Sequence, residues 1–514
     1  MAPVKRIEPE KTKANEGKPK RRKVAFAIDT GIEANDCISL HLVSTPEEMR
    51  DAEGVEDQSL SFNPEYMQHF VGEHGKIYGY KGLKIDVWLN ALSFHAYVDI
   101  QYESKVEEGK SEKEATDLTD IMKRIFGRGL VEDRNAFIQS FSSNSQSIES
   151  MIHNEGERIA TREILTDKGL SAQGDSERLG VSNEIFRLEL SDPQIREWHA
   201  RLEPLVLLFV EGSQPIEQDD PKWEMYIRVQ RESLSGGSAV CRLLGFCTVY
   251  RFYHYPDTTR LRISQILVFP PYQGKGHGLL LLEAVNKTAV SRDSYDVTVE
   301  EPSESLQELR DCMDTIRLLS FEPVMPAVKS AVQKLKEANP SDKGAADHCL
   351  EGNVNNETVT TSSTKPKNKS GWFPPPGLVE EVRKHLKISK KQFKRCWEIL
   401  LYLNLDRSDS QCEDKYHISL MEQIMSELFD KSSEKSAKGK RVIDIDNEYD
   451  NSKTFIMVRT RNPGNGEGFL PEALEGGMEV SQEDQLKSLF EERLEEIAQI
   501  AEKVPSLCKA LQMP

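Results

Sequence analysis

The stretch "YQGKGHG", residues 272–278, constrains the fold of this chain more than any other. It follows the apolar run "ISQILVFPP", precedes "LLLLEAVNK", and has glycine at positions 274, 276 and 278. A strand, a glycine-rich turn and the first turn of a helix direct several backbone N–H groups at one point, where the helix dipole favours an anion. We predict a strand–loop–helix unit that binds a phosphate or diphosphate. The alternative is a tight turn that needs glycine only for its backbone conformation.

Two common nucleotide-binding patterns do not match this loop. The P-loop requires GxxxxGK[ST], but here Lys275 lies among the glycines and no Ser or Thr follows. The Rossmann loop has GxGxxG after the first strand of a parallel series. Here the glycines alternate, and the segments before them, "WEMYIRVQR", "RLLGFCTVYRFYHY" and "RLRISQILVF", are typical of antiparallel strands.

Length and charge limit the remaining possibilities. A chain of 514 residues is long enough for two to four domains, and its net charge of -18 argues against a protein that coats nucleic acid. The eight cysteines have no zinc-finger spacing, so we expect reduced thiols and no metal. We expect no membrane span or signal peptide, and a location in the cytosol, the nucleus or both. "KPKRRK" at 18–23 fits either a nuclear localisation signal or a solvated arm.

The composition and the hydrophobic pattern of the sequence change several times along the chain. We predict a basic disordered arm (1–24), an amino-terminal mixed domain (25–180), an α+β domain (181–325), a helical domain (326–430) with a disordered insertion at 339–371, and a charged, partly helical tail (431–514). Within the first domain, Ile121, Ile125 and Leu130 have the spacing of one helical face, whereas the Ser/Asn-rich "SSNSQSIES" at 142–150 predicts a loop.

The glycine loop fits the diphosphate-loop pattern of GNAT acetyltransferases, [QR]xxGx[GA], through Gln273, Gly276 and Gly278. Its surroundings, "DTTRLRISQILVFPPYQGKGHGLLLLEAV" and then "YDVTVEEP", resemble the catalytic subunits of type B histone acetyltransferases. So do the segments at 62–85, 209–223 and 387–403, "FNPEYMQHFVGEHGKIYGYKGLKI", "FVEGSQPIEQDDPKW" and "KISKKQFKRCWEILLYL". The resemblance covers most of residues 35–405.

The resemblance implies a fold and an activity. The fold is α+β: a GNAT-like mixed sheet with flanking helices, preceded by a small mixed α/β domain and followed by a helical domain. The activity is transfer of the acetyl group of acetyl-CoA to lysines on the amino-terminal tail of newly synthesised histone H4. The family further implies a WD-repeat histone chaperone as partner and a location in nucleus and cytoplasm.

Acetyl transfer to lysine needs a proton acceptor, because a lysine ammonium has a pKa near ~10.4 and only the neutral amine attacks a thioester. The segment "VEEP" ends a predicted strand with two carboxylates. Adjacent strand side chains point to opposite faces, so one of them faces the thioester unless the backbone bends near Pro302. The resemblance implies that Glu300 is the principal general base, Glu211 a second one and Glu301 a neighbouring acid. Otherwise these are ordinary strand-end acids in solvent.

The resemblance also assigns the binding residues. It implies that the backbone of Ile266, Leu267 and Val268 binds the pantetheine arm, and that Ser305 contacts the same arm. The residues that cradle the diphosphate would be Gln273, Gly274, Lys275, Gly276, His277, Gly278 and Leu279. The histone tail would contact Glu73, His74, Gly75, Trp223, Tyr250, Arg251 and Phe252. His74 and Gly75 depart from the acidic residues usual in the family, Trp223 can equally be a core aromatic, and Lys275 can be a solvated loop lysine.

Two other functions remain open from the sequence. One is a silent GNAT-like module that senses acyl-CoA or escorts histones; the presence of both the glycine loop and the Glu211/Glu300 pair counts against it. The other is an acetyltransferase for a different amine. The acidic balance and the long amino-terminal domain favour a peptide acceptor over a small metabolite.

Overall fold

The computed structural model describes residues 31–45, 48–49, 61–72, 74–105, 115–159, 181–233, 239–337, 372–436 and 482–510. The predicted basic arm with "KPKRRK", the predicted insertion at 339–371, most of the predicted tail and Glu73 lie outside these residues. The described parts contain sheets flanked by helices and a helical carboxy-terminal part, as predicted.

The amino-terminal part forms a four-stranded mixed sheet and two short two-stranded ladders. Its strands are β1 Ile32–Glu33, β2 Ile38–Val43, β3 Ser61–Phe62, β4 Lys76–Ile77, β5 Tyr80–Lys81, β6 Lys84–Asn90, β7 Ala96–Gln101 and β8 Ser104–Lys105. The sheet has the order β3-β2-β6-β7, with β2 and β6 parallel and the other pairs antiparallel. Alternating apolar residues of β2 and β6 are buried, which explains why these segments form strands.

The helices of this part are α1 Ala34–Cys37, α2 Gln68–Val71, α3 Leu118–Phe126 and α4 Arg134–Glu155. Asp117 caps α3 by accepting a hydrogen bond from the backbone N–H of Asp120, and Ile121 and Ile125 are buried as predicted. Leu130 lies beyond the helix and pairs with Ala96 in an isolated bridge, so its assignment to the helical face was wrong.

The predicted loop at 142–150 is also wrong, because α4 continues through it without a break. Asp133 caps this helix. Its apolar residues are widely spaced but buried: Phe137, Phe141, Ile148, Met151 and Ile152. Packing of these side chains against the neighbouring sheets outweighs the weak helix propensity of the intervening serines and asparagines.

The central part is a six-stranded sheet with the order β14-β13-β12-β11-β10-β9. Its strands are β9 Glu157–Ile159, β10 Val181–Glu189, β11 Trp223–Ser233, β12 Ala239–His254, β13 Thr258–Val268 and β14 Val297–Val299. Every pair is antiparallel except β13–β14, which is parallel. The three successive strands predicted before the glycine loop are confirmed.

Two helices cover opposite faces of this sheet: α5 Pro193–Phe209 and α6 His277–Ser291. The face toward α5, here called the acceptor face, carries Met225, Ile227 and Phe246 in a core shared with the amino-terminal sheet. The face toward α6, here called the donor face, buries the four leucines that follow the glycine loop. Trp198 of α5 donates to the carbonyl of Leu92 at 3.0 Å, which joins α5 to the amino-terminal part.

The remaining helices are α7 Glu304–Leu319, α8 Val324–Glu337, α9 Pro376–Leu386, α10 Lys390–Leu403, α11 Ser410–Ser436 and α12 Gln482–Ala510. The predicted helices within 377–405 are confirmed, with Lys387 in a left-handed conformation at the break. Helix α11 continues past the predicted end of the helical domain at residue 430, to Ser436. Helix α12 packs on α7 and α10, where Arg493 binds the buried Glu398 at 2.9 Å.

None of the helices described has both the length and the apolar composition of a membrane span.

Candidate active site

The glycine loop and the acidic strand end lie where two strands of the central sheet diverge. β14 pairs with β13 only from Leu261 to Ile263, and the last bond of this ladder is donated by the N–H of Glu300 to the carbonyl of Ile263 at 2.9 Å. From Ser264 to Val268 the outer edge of β13 faces no other described strand. This edge holds Ile266, Leu267 and Val268, the residues predicted to bind a pantetheine arm.

A bulge in β13 points one hydroxyl at the predicted base. Thr248 pairs with Gln265 and Val249 with Ile263, which leaves Ser264 as the extra residue. The Ser264 hydroxyl donates a 2.7 Å hydrogen bond to a carboxylate oxygen of Glu300. Val297 and Val299 are buried on the donor face, so strand alternation directs Glu300 to the acceptor face. Glu300 is therefore exposed to solvent on one side and oriented by Ser264 on the other.

The backbone bends directly after Glu300. Glu301 has φ = 35°, a left-handed conformation that L-residues with side chains rarely adopt. The bend expected near Pro302 is therefore present. Glu301 is exposed and makes no hydrogen bond with any described residue. Ser303 then caps α7 by accepting from the N–H of Leu306, and its hydroxyl lies 3.2 Å from that of Ser305.

The glycine loop has the conformation that its sequence predicts. Pro270–Tyr272 form a short 3-10 turn; Gly274 has φ = 72° and Gly276 φ = 79°. A Cβ at Gly274 would have no heavy atom of its surroundings within 4 Å, so the space beside that backbone is open. Gly276 is the N-cap of α6 and supplies no side chain there, so the first N–H groups of the helix are available to a ligand. Gly278 packs close to α7, where an added Cβ would lie 3.3 Å from Leu309.

Side chains of the glycine loop hydrogen-bond to neighbouring groups and leave the backbone N–H groups of the loop uncovered. Gln273 donates through Nε2 to the carbonyl of Val268 at 2.9 Å, and Lys275 donates to the carbonyl of Pro271 at 3.0 Å. His277 accepts a 2.9 Å hydrogen bond at Nδ1 from Arg228 of β11, and Leu279 is buried in the donor-face core. The left-handed glycines, the open backbone and the helix N-terminus fit the diphosphate of acetyl-CoA.

Glu211 lies in a separate segment, residues 210–222, that follows α5 and is here called the acidic loop. Glu211 is exposed, and Gly212 after it has φ = 67°. The carbonyl of Gln214 accepts from Nε2 of Gln265 at 2.8 Å, which ties the acidic loop to the residue next to Ser264. Gln265 also contacts Thr248, so the acidic loop crosses the acceptor face beside the bulge.

Three of the predicted substrate residues form an aromatic cluster on the acceptor face. Trp223 is buried, and its ring packs edge-on at 4.9 Å against Tyr250, which packs at 4.5 Å against Phe252. The hydroxyl of Tyr250 donates to Asp220 of the acidic loop at 2.6 Å. Partial burial and this bond to a carboxylate raise the pKa of Tyr250 to about 12, so it remains a neutral donor. The same hydrogen bond lowers the pKa of Asp220.

Arg251 does not join this cluster. As the residue between Tyr250 and Phe252 it points to the other face, where its Nε lies 3.4 Å from Glu224. Glu224 is fully buried and also binds Arg187 and Arg292, each at 2.8 Å. Arg251 therefore belongs to a buried ionic network on the donor face, and its Nη2 also donates to the carbonyl of Pro221 in the acidic loop at 3.0 Å.

The other predicted substrate residues lie in the turn before β4. His74 is exposed, whereas Gly75 is buried with φ = 62° and its carbonyl accepts from the N–H of Ala34. The left-handed conformation at this position favours glycine over residues with side chains.

A cavity of about 730 Å³ opens beside the acidic loop, between α3 and α5. Its lining carries both signs of charge, namely the acidic Glu203, Glu217, Asp219 and Asp220 and the basic Lys123, Arg124, Arg128 and Arg201. Asp220 belongs both to this cavity and to the aromatic cluster. Within the residues that the structure covers, no group of three His, Cys, Asp or Glu side chains could hold a metal ion.

Sequence reasoning did not find three contacts of this site. They are the bond from Ser264 to Glu300, the bond from Gln265 to the acidic loop, and the bond from Arg228 to His277. A signal existed for Ser264 and Gln265, two polar residues directly before the apolar run "ILVF", whereas Arg228 is one of several charged residues in its strand. Their partners depend on strand register, which single-sequence patterns do not provide.

Family models match two segments of the chain. The model described as "Histone acetyl transferase HAT1 N-terminus" matches residues 30–211, and the model of the acetyltransferase (GNAT) family matches residues 193–309. The second match contains the bulge, the glycine loop and Glu300.

Relatives that match most of this chain are named as catalytic subunits of type B histone acetyltransferases. The histone acetyltransferase type B catalytic subunit of Arabidopsis thaliana is 37% identical over 495 residues, which cover 96% of this chain and 97% of the relative. The subunit of Zea mays is 38% identical over 494 residues, with 96% and 95% covered. The subunit of Homo sapiens is 27% identical over 393 residues, with 76% and 79% covered.

Proposed function

This chain belongs to the family of type B histone acetyltransferase catalytic subunits, and from that premise we propose that it acetylates lysines on the amino-terminal tail of newly synthesised histone H4, with Glu300 as general base. It is an acetyl-CoA-dependent histone acetyltransferase with a GNAT domain. The acceptor and the roles of individual residues are the proposal.

The observation that carries the proposal is the position of Glu300 next to the open edge of β13. The carboxylate is exposed, it is oriented by Ser264, and it lies at the end of the strand beside the edge predicted to receive the pantetheine arm. When bound, acetyl-CoA supplies an acetyl thioester that a neutral amine can attack. Glu300 accepts the proton of the incoming lysine ammonium, directly or through water, and so makes that amine available.

Other residues hold the two reactants. The backbone of the glycine loop and the N-terminus of α6 bind the diphosphate, and the unpaired edge of β13 offers backbone groups to the pantetheine amides. Glu211 is proposed as a second carboxylate that draws protons from the acceptor, since its loop is tied to β13 beside the bulge. Glu301, after the bend, adds negative charge near the incoming cation.

The acidic loop supports a lysine-rich tail as acceptor. Glu217, Asp219 and Asp220 lie on the acidic loop, which Asp220 joins to the aromatic cluster of Tyr250 and Phe252. The cavity that they line also carries basic residues, so the support comes from the acidic loop and the aromatic rings. Negative charge attracts a basic peptide, and aromatic faces accept the aliphatic stems and charged heads of lysines. Family membership further supports a WD-repeat histone chaperone as partner and a location in both nucleus and cytoplasm, which we propose on that ground alone.

Mass spectrometry of the products tests the acceptor. The protein is incubated with acetyl-CoA and an equimolar mixture of unmodified H3 and H4 tail peptides. We expect acetyl groups on H4 lysines first. Predominant modification of H3 would contradict the proposed acceptor, and no product from either tail would contradict histone tails as acceptors altogether.

A further inference from the structure

A buried cation lies under the glycine loop on the donor face. Arg228 of β11 is only 6% exposed, and its Nε donates to Nδ1 of His277, the first residue of α6. Among the residues that the structure describes, this is the one hydrogen bond of the Arg228 side chain, and no carboxylate lies within ion-pairing distance. The guanidinium is therefore next to the helix N-terminus with its charge uncompensated.

Two other arginines of the same sheet, the buried Arg187 and the partly buried Arg242, are compensated by carboxylates. Arg187 binds Glu157, Glu189 and Glu224, and Arg242 binds Glu48 and Glu232. Such pairing is general, because a buried charge without a partner is costly to desolvate. Burial alone lowers the pKa of Arg228 to about 10, which still leaves it protonated near neutral pH. An unpaired buried cation beside an anion-binding backbone indicates that the missing counter-charge comes with a ligand.

His277 holds the arginine without neutralising it. Because Nδ1 accepts from Arg228, the proton of the neutral imidazole is on Nε2. Burial, together with Arg228 and Lys275 nearby, lowers the pKa of His277 to about 4. The pair therefore carries one positive charge, and that charge belongs to the guanidinium.

We propose that Arg228, oriented by His277, binds a phosphate of acetyl-CoA together with the glycine loop and the N-terminus of α6. The inference rests on the proposed cofactor site and adds to it a side chain from the middle of the sheet. The phosphate is either the diphosphate or the 3′-phosphate of the cofactor; both are anions that a guanidinium binds through charge-assisted hydrogen bonds.

The test replaces the cation with an apolar side chain of similar length, in the full chain. Arg228→Met removes an unpaired buried charge, so the ligand-free variant should unfold at the wild-type temperature or above it. Calorimetry with acetyl-CoA, in the absence of histone, should give a dissociation constant at least ~10-fold higher than that of the wild type. Arg228→Lys, which keeps the charge but not the fork of donors, should recover part of the loss.

A donor without phosphates separates binding from structure. For S-acetylpantetheine, kcat/KM of Arg228→Met should equal that of the wild type. An equal loss on S-acetylpantetheine, or an unchanged dissociation constant for acetyl-CoA, would overturn the inference. Failure of the wild type itself to bind acetyl-CoA would instead overturn the proposed cofactor site.

The identity of the phosphate follows from 3′-dephospho-acetyl-CoA. If the difference between the wild type and Arg228→Met disappears with this ligand, Arg228 binds the 3′-phosphate. If the difference persists, Arg228 binds the diphosphate. Both results support the inference.

Discussion

The two faces of the central sheet are built for different tasks. Around the glycine loop, the donor face presents left-handed glycines, a helix N-terminus and Arg228, a buried cation with no carboxylate partner among the described residues. The acceptor face presents side chains: an exposed carboxylate, a hydroxyl that orients it and aromatic rings tied to the acidic loop. They meet only where β13 and β14 diverge. We therefore expect that mutations can impair acetyl-CoA binding and proton removal separately.

Glu300→Gln should have the largest effect, and it acts on the acceptor face. Loss of the proton acceptor should lower kcat by about 100-fold or more near neutral pH, while the dissociation constant of acetyl-CoA stays within about 2-fold of the wild type. Steady-state kinetics with an H4 tail peptide and calorimetry measure the two quantities.

Glu304→Gln is the matched control, since Glu304 is an exposed glutamate four residues later at the start of α7. It should leave kcat near the wild-type value. If Glu300→Gln retained the rate of this control, the base would have to be assigned elsewhere.

Gly276→Val tests the donor face. A β-branched residue at φ = 79° is strained, by about 1–3 kcal/mol, and its side chain lies at the N-terminus that binds the ligand. We expect acetyl-CoA affinity to fall by ~10-fold or more, as measured by calorimetry.

Gly72→Val imposes at least as much strain at another glycine of positive φ with open space around it, at the end of α2, where φ = 89° and ψ = 173°. It should lower stability and leave acetyl-CoA affinity unchanged. A similar loss of affinity in both variants would mean that strain, and not the loop, determines binding.

Ser264→Ala should have a smaller effect on the acceptor face. It removes the hydroxyl that holds Glu300, so kcat should fall by roughly 3- to 10-fold, the range expected for one hydrogen bond to a charged group that is partly replaced by water. Acetyl-CoA affinity should not change, and Ser264→Thr should recover part of the rate. Ser291→Ala, at the far end of α6, is the control for loss of a hydroxyl. Equal kcat values for Ser264→Ala and the wild type would show that Ser264 does not orient Glu300 for catalysis.

Some features of the two faces could be predicted from the sequence, and others could not. The strand–loop–helix unit is local, and glycine spacing with its apolar flanks identifies it. The partners of Ser264 and Arg228 depend on the register between distant strands, so the sequence shows only that each is a polar residue within a predicted strand. Residues 142–150 were misassigned for a related reason, because the burial of Phe141 and Ile148 depends on elements far away in the chain.

Each face also holds a histidine of lowered pKa, fully buried in one case and partly buried in the other, and the buried one gives the smallest of the predicted effects. His199 of α5 is fully buried on the acceptor face, and neither ring nitrogen has a partner among the described residues, whereas His277 has Arg228. Burial lowers the pKa of His199 from 6.5 to about 4. Between these values the unfolded chain binds a proton that the folded protein excludes, so stability is lost as pH falls.

His199→Leu should therefore lose less stability than the wild type between pH 7 and pH 5, by up to about 2 kcal/mol. Urea unfolding at both pH values measures the difference, and His69→Leu, which changes an exposed histidine on α2, should behave like the wild type. A His199→Leu variant that loses as much stability as the wild type would show that His199 is not held neutral.

The most direct test of separate donor and acceptor faces is a double-mutant cycle on acetyl-CoA affinity with Gly276→Val and Glu300→Gln. Gly276→Val should weaken acetyl-CoA binding by the same factor with Glu300 present or replaced, within about 2-fold, as expected for independent sites. Glu300→Gln alone should leave acetyl-CoA binding unchanged. A factor that differs by more than about 5-fold between the two backgrounds would contradict the separation of the two faces.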